Sequence, residues 1–118
     1  DGAHNPNAAK QLREEALRRW KAGGIVEIVG VLADKDFTEV GRLLAPLAKK
    51  IFTVTPNNPR ALSAQDLAQC FRQFCDDVTP ADNPAQAWQR AKQEQLPVLA
   101  FGSLSWLREL RDAVEEQT

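Results

Sequence analysis

The sequence predicts an α/β fold, a Rossmann-like sandwich whose mostly parallel sheet is flanked by helices on both faces. Three observations carry this expectation. The hydrophobic period alternates along the chain between strand-like and helix-like. Residues 25–32, 51–55 and 97–101 are short, apolar runs of the kind that form strands, the first of them apolar enough to be buried on both sides. Helix-period segments separate them, and strands joined by crossover helices pair in parallel with right-handed connections.

Taken in order, Asn5-Pro6 opens the first helix, because asparagine caps the free N–H groups and proline at the first position has no N–H to leave unpaired. Ala9, Leu12, Ala16, Leu17 and Trp20 give that helix one apolar face, and Gly23-Gly24 ends it. IVEIVGVL at 25–32 is the first strand. Asp36 or Thr38 caps the next helix, with Phe37, Val40, Leu43, Leu44 and Leu47 facing inward and Pro46 kinking or terminating it. IFTVT at 51–55 is the second strand, and the proline- and asparagine-rich 56–59 is loop. Ser63 with Asp66 resembles a capping box, and Leu67, Cys70, Phe71 and Phe74 line the helix behind it. A short strand is expected near Val78, then a helix capped by Asn83-Pro84 with Ala87, Trp88 and Ala91 inward. PVLAF at 97–101 is the third clear strand. Gly102-Ser103 turns it into a last helix with Leu107, Leu110 and Val114 inward and Trp106 alongside.

Composition fits one domain of 118 residues, 43% hydrophobic, with 15 basic against 16 acidic side chains. That near-neutral balance argues against a nucleic-acid partner or an anionic membrane, since both select concentrated positive charge. The longest uncharged run, residues 95–107, is too short to span a bilayer and contains Pro97 and Gly102. No secretory leader is expected at the start. Cys70 and Cys75 are five apart, which suits neither a zinc pair nor a CxxC redox motif, so they read as free thiols in a reducing, cytoplasmic setting. A chain that opens Asp1-Gly2-Ala3-His4 and has no methionine reads as a fragment, with a preceding strand expected outside it.

In open parallel sheets, ligands bind beyond the carboxyl ends of the strands. Residues 1–5, 33–36, 55–61 and 102–103 fall there and should share one rim. DGAHNP places Asp1 and the only histidine, His4, before a helix start; an aspartate there accepts from a ribose diol and an imidazole binds a carboxylate or moves a proton, while plain capping and loop packing is the alternative. Ser103 suits a carboxylate or phosphate at a helix start, or is a simple cap. Arg60, the one cation in its loop, either pairs with a ligand carboxylate or is solvated. Asp34, Lys35 and Asp36 read as a turn and cap with a local ion pair, and no metal site is expected. GxxxxGKS and GxGxxG patterns are missing, so nucleotide phosphates have no complete cradle in this chain.

DGAHNP at 1–6, GVLADKD at 30–36, NPRAL at 58–62 and FGSL at 101–104 together resemble the C-terminal domain of folylpolyglutamate and dihydrofolate synthases, in the Mur ligase superfamily. The resemblance covers residues 1–118 and implies a glutamate-ligase domain. Its reaction would join L-glutamate to a folate or dihydropteroate carboxylate as an amide, through an acyl phosphate made with ATP. It implies that Asp1 contacts the ATP ribose and that His4 and Ser103 lie at the glutamate as catalytic and substrate-binding groups, with Arg60 as a further substrate contact. ATP phosphates and Mg2+ would be held mainly by an N-terminal ATPase domain of the same protein. After GSL the sequence departs from the family pattern, with Ser105 where an aromatic is common and Trp106 next to it. A non-catalytic Rossmann-like module that binds a nucleotide or amino acid is the competing reading, motivated by the missing phosphate loop. Another amino-acid ligase of the superfamily, such as a cell-wall enzyme, is disfavoured by GSL and ADKD.

Overall fold

The structure, a computed structural model, describes residues 5–117. Its sheet has the order β3-β2-β1-β4, with β1 (Ile25–Gly30) between β2 (Ala48–Thr53) and β4 (Val98–Gly102), and short β3 (Val78–Pro80) beyond β2. All three pairings are parallel. Helices α1 (Pro6–Arg19), α2 (Phe37–Leu44) and α3 (Ala64–Phe71) cover one face, while α4 (Pro84–Lys92) and α5 (Leu104–Gln117) cover the other. Period two along β1 divides the core accordingly: Ile25 and Val29 pack with α1 to α3, Val26 and Ile28 with α4 and α5. The chain steps outward from β1 to β3 on the first face and returns to β4 across the second, which keeps every crossover one hand. The expected α/β sandwich is therefore the observed one.

Local chemistry sets the helix starts. The side chains of Asn5, Asp36, Ser63 and Asn83 each accept a backbone N–H from the first turn of their helix. Several boundaries and faces differ from the sequence reading. Strand β1 stops at Gly30, because Val31 and Leu32 leave the ladder to pair with the 61–62 segment: Leu62 donates to the Val31 carbonyl, and Leu32 bridges Ala61 antiparallel. Pro46 converts the end of α2 into a single 3-10 turn, Ala45–Leu47, from which β2 starts three residues earlier than expected. Helix α1 ends at Arg19, ahead of the glycines, and Leu17 is 45% exposed, off its inner face. In α5 the buried line is Trp106, Leu110 and Ala113, so the tryptophan lies at the centre of that face and not beside it. No helix among the described residues is long and apolar enough to cross a membrane.

One residue in β1 contradicts its surroundings. Glu27 is fully buried between β2 and β4, and neither carboxyl oxygen has a hydrogen-bond partner. Burial pushes its pKa well above the usual 4.5, so the neutral acid is the form the core accepts. Cys75, half-buried on the same layer, donates weakly to the Ala48 carbonyl; its thiol is pushed up chiefly by burial and further by the nearby Glu27. Because the folded pKa of Glu27 is raised, the stability it allows is full below pH 4.5 and declines as pH climbs toward the folded value. Glu27→Leu removes that slope. Chemical denaturation from about pH 4 to about pH 8 is expected to show the variant gaining on the parent as pH rises, by about 1–3 kcal/mol at the upper end. A difference that does not change with pH would refute this account.

Candidate functional site

The carboxyl ends of the strands lie together, and three of the four predicted rim loops are linked there by hydrogen bonds. Ala33 donates to the Arg60 carbonyl at 2.7 Å, joining the loop after β1 to the loop after β2. Ser103 donates its N–H to the Gly30 carbonyl at 2.8 Å, joining the end of β1 to the turn after β4. Two threonines seat the intervening loop: the Thr53 hydroxyl, fully buried, donates to the Ala64 carbonyl, and the Ala64 N–H donates to the Thr55 hydroxyl. Asp1 and His4, the expected ribose and glutamate contacts, lie outside the described residues.

Between the loop after β1 and the start of α5 is a cleft of about 210 Å³, lined by Leu32, Lys35, Ser103, Leu104 and Ser105. Its volume suits one end of a small ligand. The floor is apolar and the rim carries hydroxyls and an ammonium. The Ser103 and Ser105 hydroxyls are 2.9 Å apart, and the Ser103 hydroxyl also takes a long bond from the Ser105 N–H. Helix α5 runs away from the cleft, so its N-terminal N–H groups add partial positive charge at this point. Among the described residues Lys35 has no ion-pair partner, so the cleft gathers a full positive charge, a helix start and two hydroxyls around one opening. Such a donor set recognises a carboxylate or a phosphate.

Arg60 behaves differently from a free cation. Its guanidinium donates to Asp34 at 2.8 Å across the rim, with both side chains largely exposed. The local ion pair expected within residues 34–36 is thus replaced by this long-range one, and Asp36 is the cap of α2. Lys35 is left facing the cleft, a neighbour of Ser103 that its spacing in sequence does not reveal. Among the described residues no group of three or more metal-ligating side chains occurs, and both cysteines are free.

The turn that carries Ser103 depends on two glycines in register. Gly30 ends β1 opposite Gly102, the last residue of β4. Gly102 has φ +121°, and a Cβ there would lie 2.0 Å from the Gly30 carbonyl oxygen. A Cβ on Gly30 would meet the Trp106 indole nitrogen at 2.8 Å. Neither position has room for a side chain. The sequence reading placed Gly102 in the turn but ran the first strand past Gly30, so the pairing of the two glycines was missed.

Comparison with known proteins adds relatives to this geometry. The profile of the family described as "Mur ligase, glutamate ligase domain" matches residues 1–104. A dihydrofolate synthase/folylpolyglutamate synthase of Haemophilus influenzae is 32% identical over 98% of this chain, which corresponds to 28% of that protein. Among solved structures, Escherichia coli FolC in complex with DHPP and ADP superposes with a TM-score of 0.87 at 25% identity, over 99% of this chain and 28% of that one. A bifunctional folylpolyglutamate synthase/dihydrofolate synthase from Yersinia pestis gives 0.83 at 27% identity, over 98% and 27%. The chain thus spans under a third of the length of these relatives.

Gly102→Ala tests the junction apart from any activity. The substitution is expected to cost more than about 2 kcal/mol, because it combines an unfavourable φ with a collision against backbone. Equilibrium unfolding of the two chains measures it, and a cost below about 1 kcal/mol would contradict the close approach described above.

Proposed function

Because the chain belongs to the Mur ligase glutamate-ligase domain family, we propose that residues 1–118 form the C-terminal domain of a cytoplasmic, ATP-dependent folate–glutamate ligase. The reaction is amide formation between the amine of L-glutamate and a folate or dihydropteroate carboxylate activated as an acyl phosphate; the amine attacks the acyl carbon and phosphate leaves. The observation that carries this reading is the rim cleft, where Ser103, Lys35 and the start of α5 offer a seat for a carboxylate.

In this reading the domain holds glutamate and presents its amine, so its part in catalysis is mainly positioning. Ser103 donates to a glutamate carboxylate, and Lys35 neutralises its charge. His4, from the segment before α1, holds a second carboxylate oxygen or takes the amine proton. Asp1 accepts from the ribose of ATP. Arg60 reaches substrate only by exchanging its partner Asp34, an exposed pair weak enough for that exchange.

The described residues offer Mg2+ no ligand cluster, and the chain has no phosphate loop. In this reading the metal and the ATP phosphates belong to an N-terminal ATPase domain of the longer protein, over which this domain closes.

The test is replacement of Asp1, His4, Ser103 and Lys35 by Ala, one at a time, in the full-length enzyme. Ser103→Ala and Lys35→Ala are expected to raise the glutamate KM about fivefold to about tenfold, as loss of one hydrogen bond or ion pair to a charged group does. Asp1→Ala should raise the KM for ATP, and His4→Ala should lower glutamate incorporation. Near-parental KM values for glutamate and ATP together with near-parental glutamate incorporation in all four reject the site. Tight calorimetric binding of ATP or glutamate by the 118-residue chain alone would instead favour a stand-alone binding module.

A further inference from the structure

Ser103 lies in a turn that nothing in its own residue type holds still, and the structure shows what does. The Gly30 carbonyl accepts two hydrogen bonds, from the Ser103 N–H at 2.8 Å and from the indole N–H of Trp106 at 2.7 Å. Trp106 is fully buried in the first turn of α5, packed among Leu110 and the residues of α4 and β2 on the second face of the sheet. One oxygen at the end of the central strand thus fixes both the first residue before α5 and the third residue of α5 itself. The two glycines in register supply the room: a Cβ at Gly30 would strike the indole, and one at Gly102 would strike the shared oxygen.

From this arrangement we infer that Trp106 is a positioning residue for the glutamate site. It touches no cleft surface, since the lining is Leu32, Lys35, Ser103, Leu104 and Ser105. It acts by pinning the start of α5 against Gly30, which sets the Ser103 hydroxyl and the free N–H groups of α5 at a fixed height opposite Lys35. A shift of a hydrogen-bond donor by a fraction of an ångström weakens a bond to carboxylate without abolishing the fold. Removing the indole N–H therefore leaves an unpaired lone pair on a buried carbonyl and a looser turn, and glutamate binding should bear the loss. The inference rests on the assignment of Ser103 to glutamate made above.

The experiment replaces Trp106 with Phe in the full-length enzyme, with Ser103→Ala in parallel. If Trp106→Phe does not fold, benzothienylalanine, the sulfur isostere of tryptophan without the N–H, is placed at position 106. Expected are a rise of about fivefold in glutamate KM with kcat and the ATP KM within about twofold of the parent, and faster hydrogen exchange at the Ser103 amide. A parental glutamate KM and parental Ser103 exchange in the variant overturn the inference. So does a loss confined to kcat, or an equal loss for both substrates, which marks Trp106 as a packing residue only. If Ser103→Ala itself leaves the glutamate KM unchanged, the glutamate assignment fails; faster Ser103 exchange in the Trp106 variant would then still show the pinning of the turn.

Discussion

Every layer of this domain meets at one buried strand. Strand β1 is flanked on both edges, covered on both faces, and inaccessible to solvent at all six residues. A strand in that position has no solvent side on which to place polar groups, so its ladder bonds and its packing must all be satisfied by other elements. Four of its six residues are β-branched, which suits the demand. Glu27 does not, and it is tolerated because a carboxyl group can shed its charge where an arginine in the same slot would have to desolvate one.

The rim follows from how β1 ends. Past Gly30 the strand no longer pairs with β4, and its last carbonyl is shared between a turn and an indole. Val31 and Leu32 are instead held by the 61–62 segment, so the loop carrying Lys35 is anchored on one side by the β2–α3 connection and faces α5 on the other. The cleft is the gap between these two anchorages. Its charge is set by the Asp34–Arg60 pair, which cancels two charges and leaves that of Lys35.

What the amino-acid sequence made legible was chiefly local. Asn5, Ser63 and Asn83 announce helix starts because capping needs only a side chain and the next three N–H groups, and the same holds for Asp36. Apolar runs located three strands to within a few residues. The inner face of a helix is harder, since it depends on what lies opposite: Leu17 fits the helical period yet faces water, and Trp106, off the expected stripe, fills the core. Glu27 was hidden inside a hydrophobic run. Residues 33–36 and 102–103 were expected on one rim, but that Lys35 in particular faces Ser103 across one cleft depends on the adjacency of β1 and β4, a property of sheet order. Arg60 was recognised as a notable cation, but its partner Asp34 lies 26 residues away. The blocks DGAHNP, ADKD and FGSL pointed to the family that the profile match later established.

The shared carbonyl of Gly30 also orders events in time. Strand β1 emerges from the ribosome before its neighbour β4, which begins at Val98, and before Ser103 and Trp106, the donors to Gly30. Until the last fifth of these 118 residues has been made, β1 has a bare edge and the cleft has only one wall. Contacts this distant in sequence form slowly, and an incomplete parallel sheet exposes apolar surface while it waits. For a nascent chain, completing the core and completing the cleft are the same step, so a domain stalled short of α5 would expose apolar surface and lack one wall of the cleft.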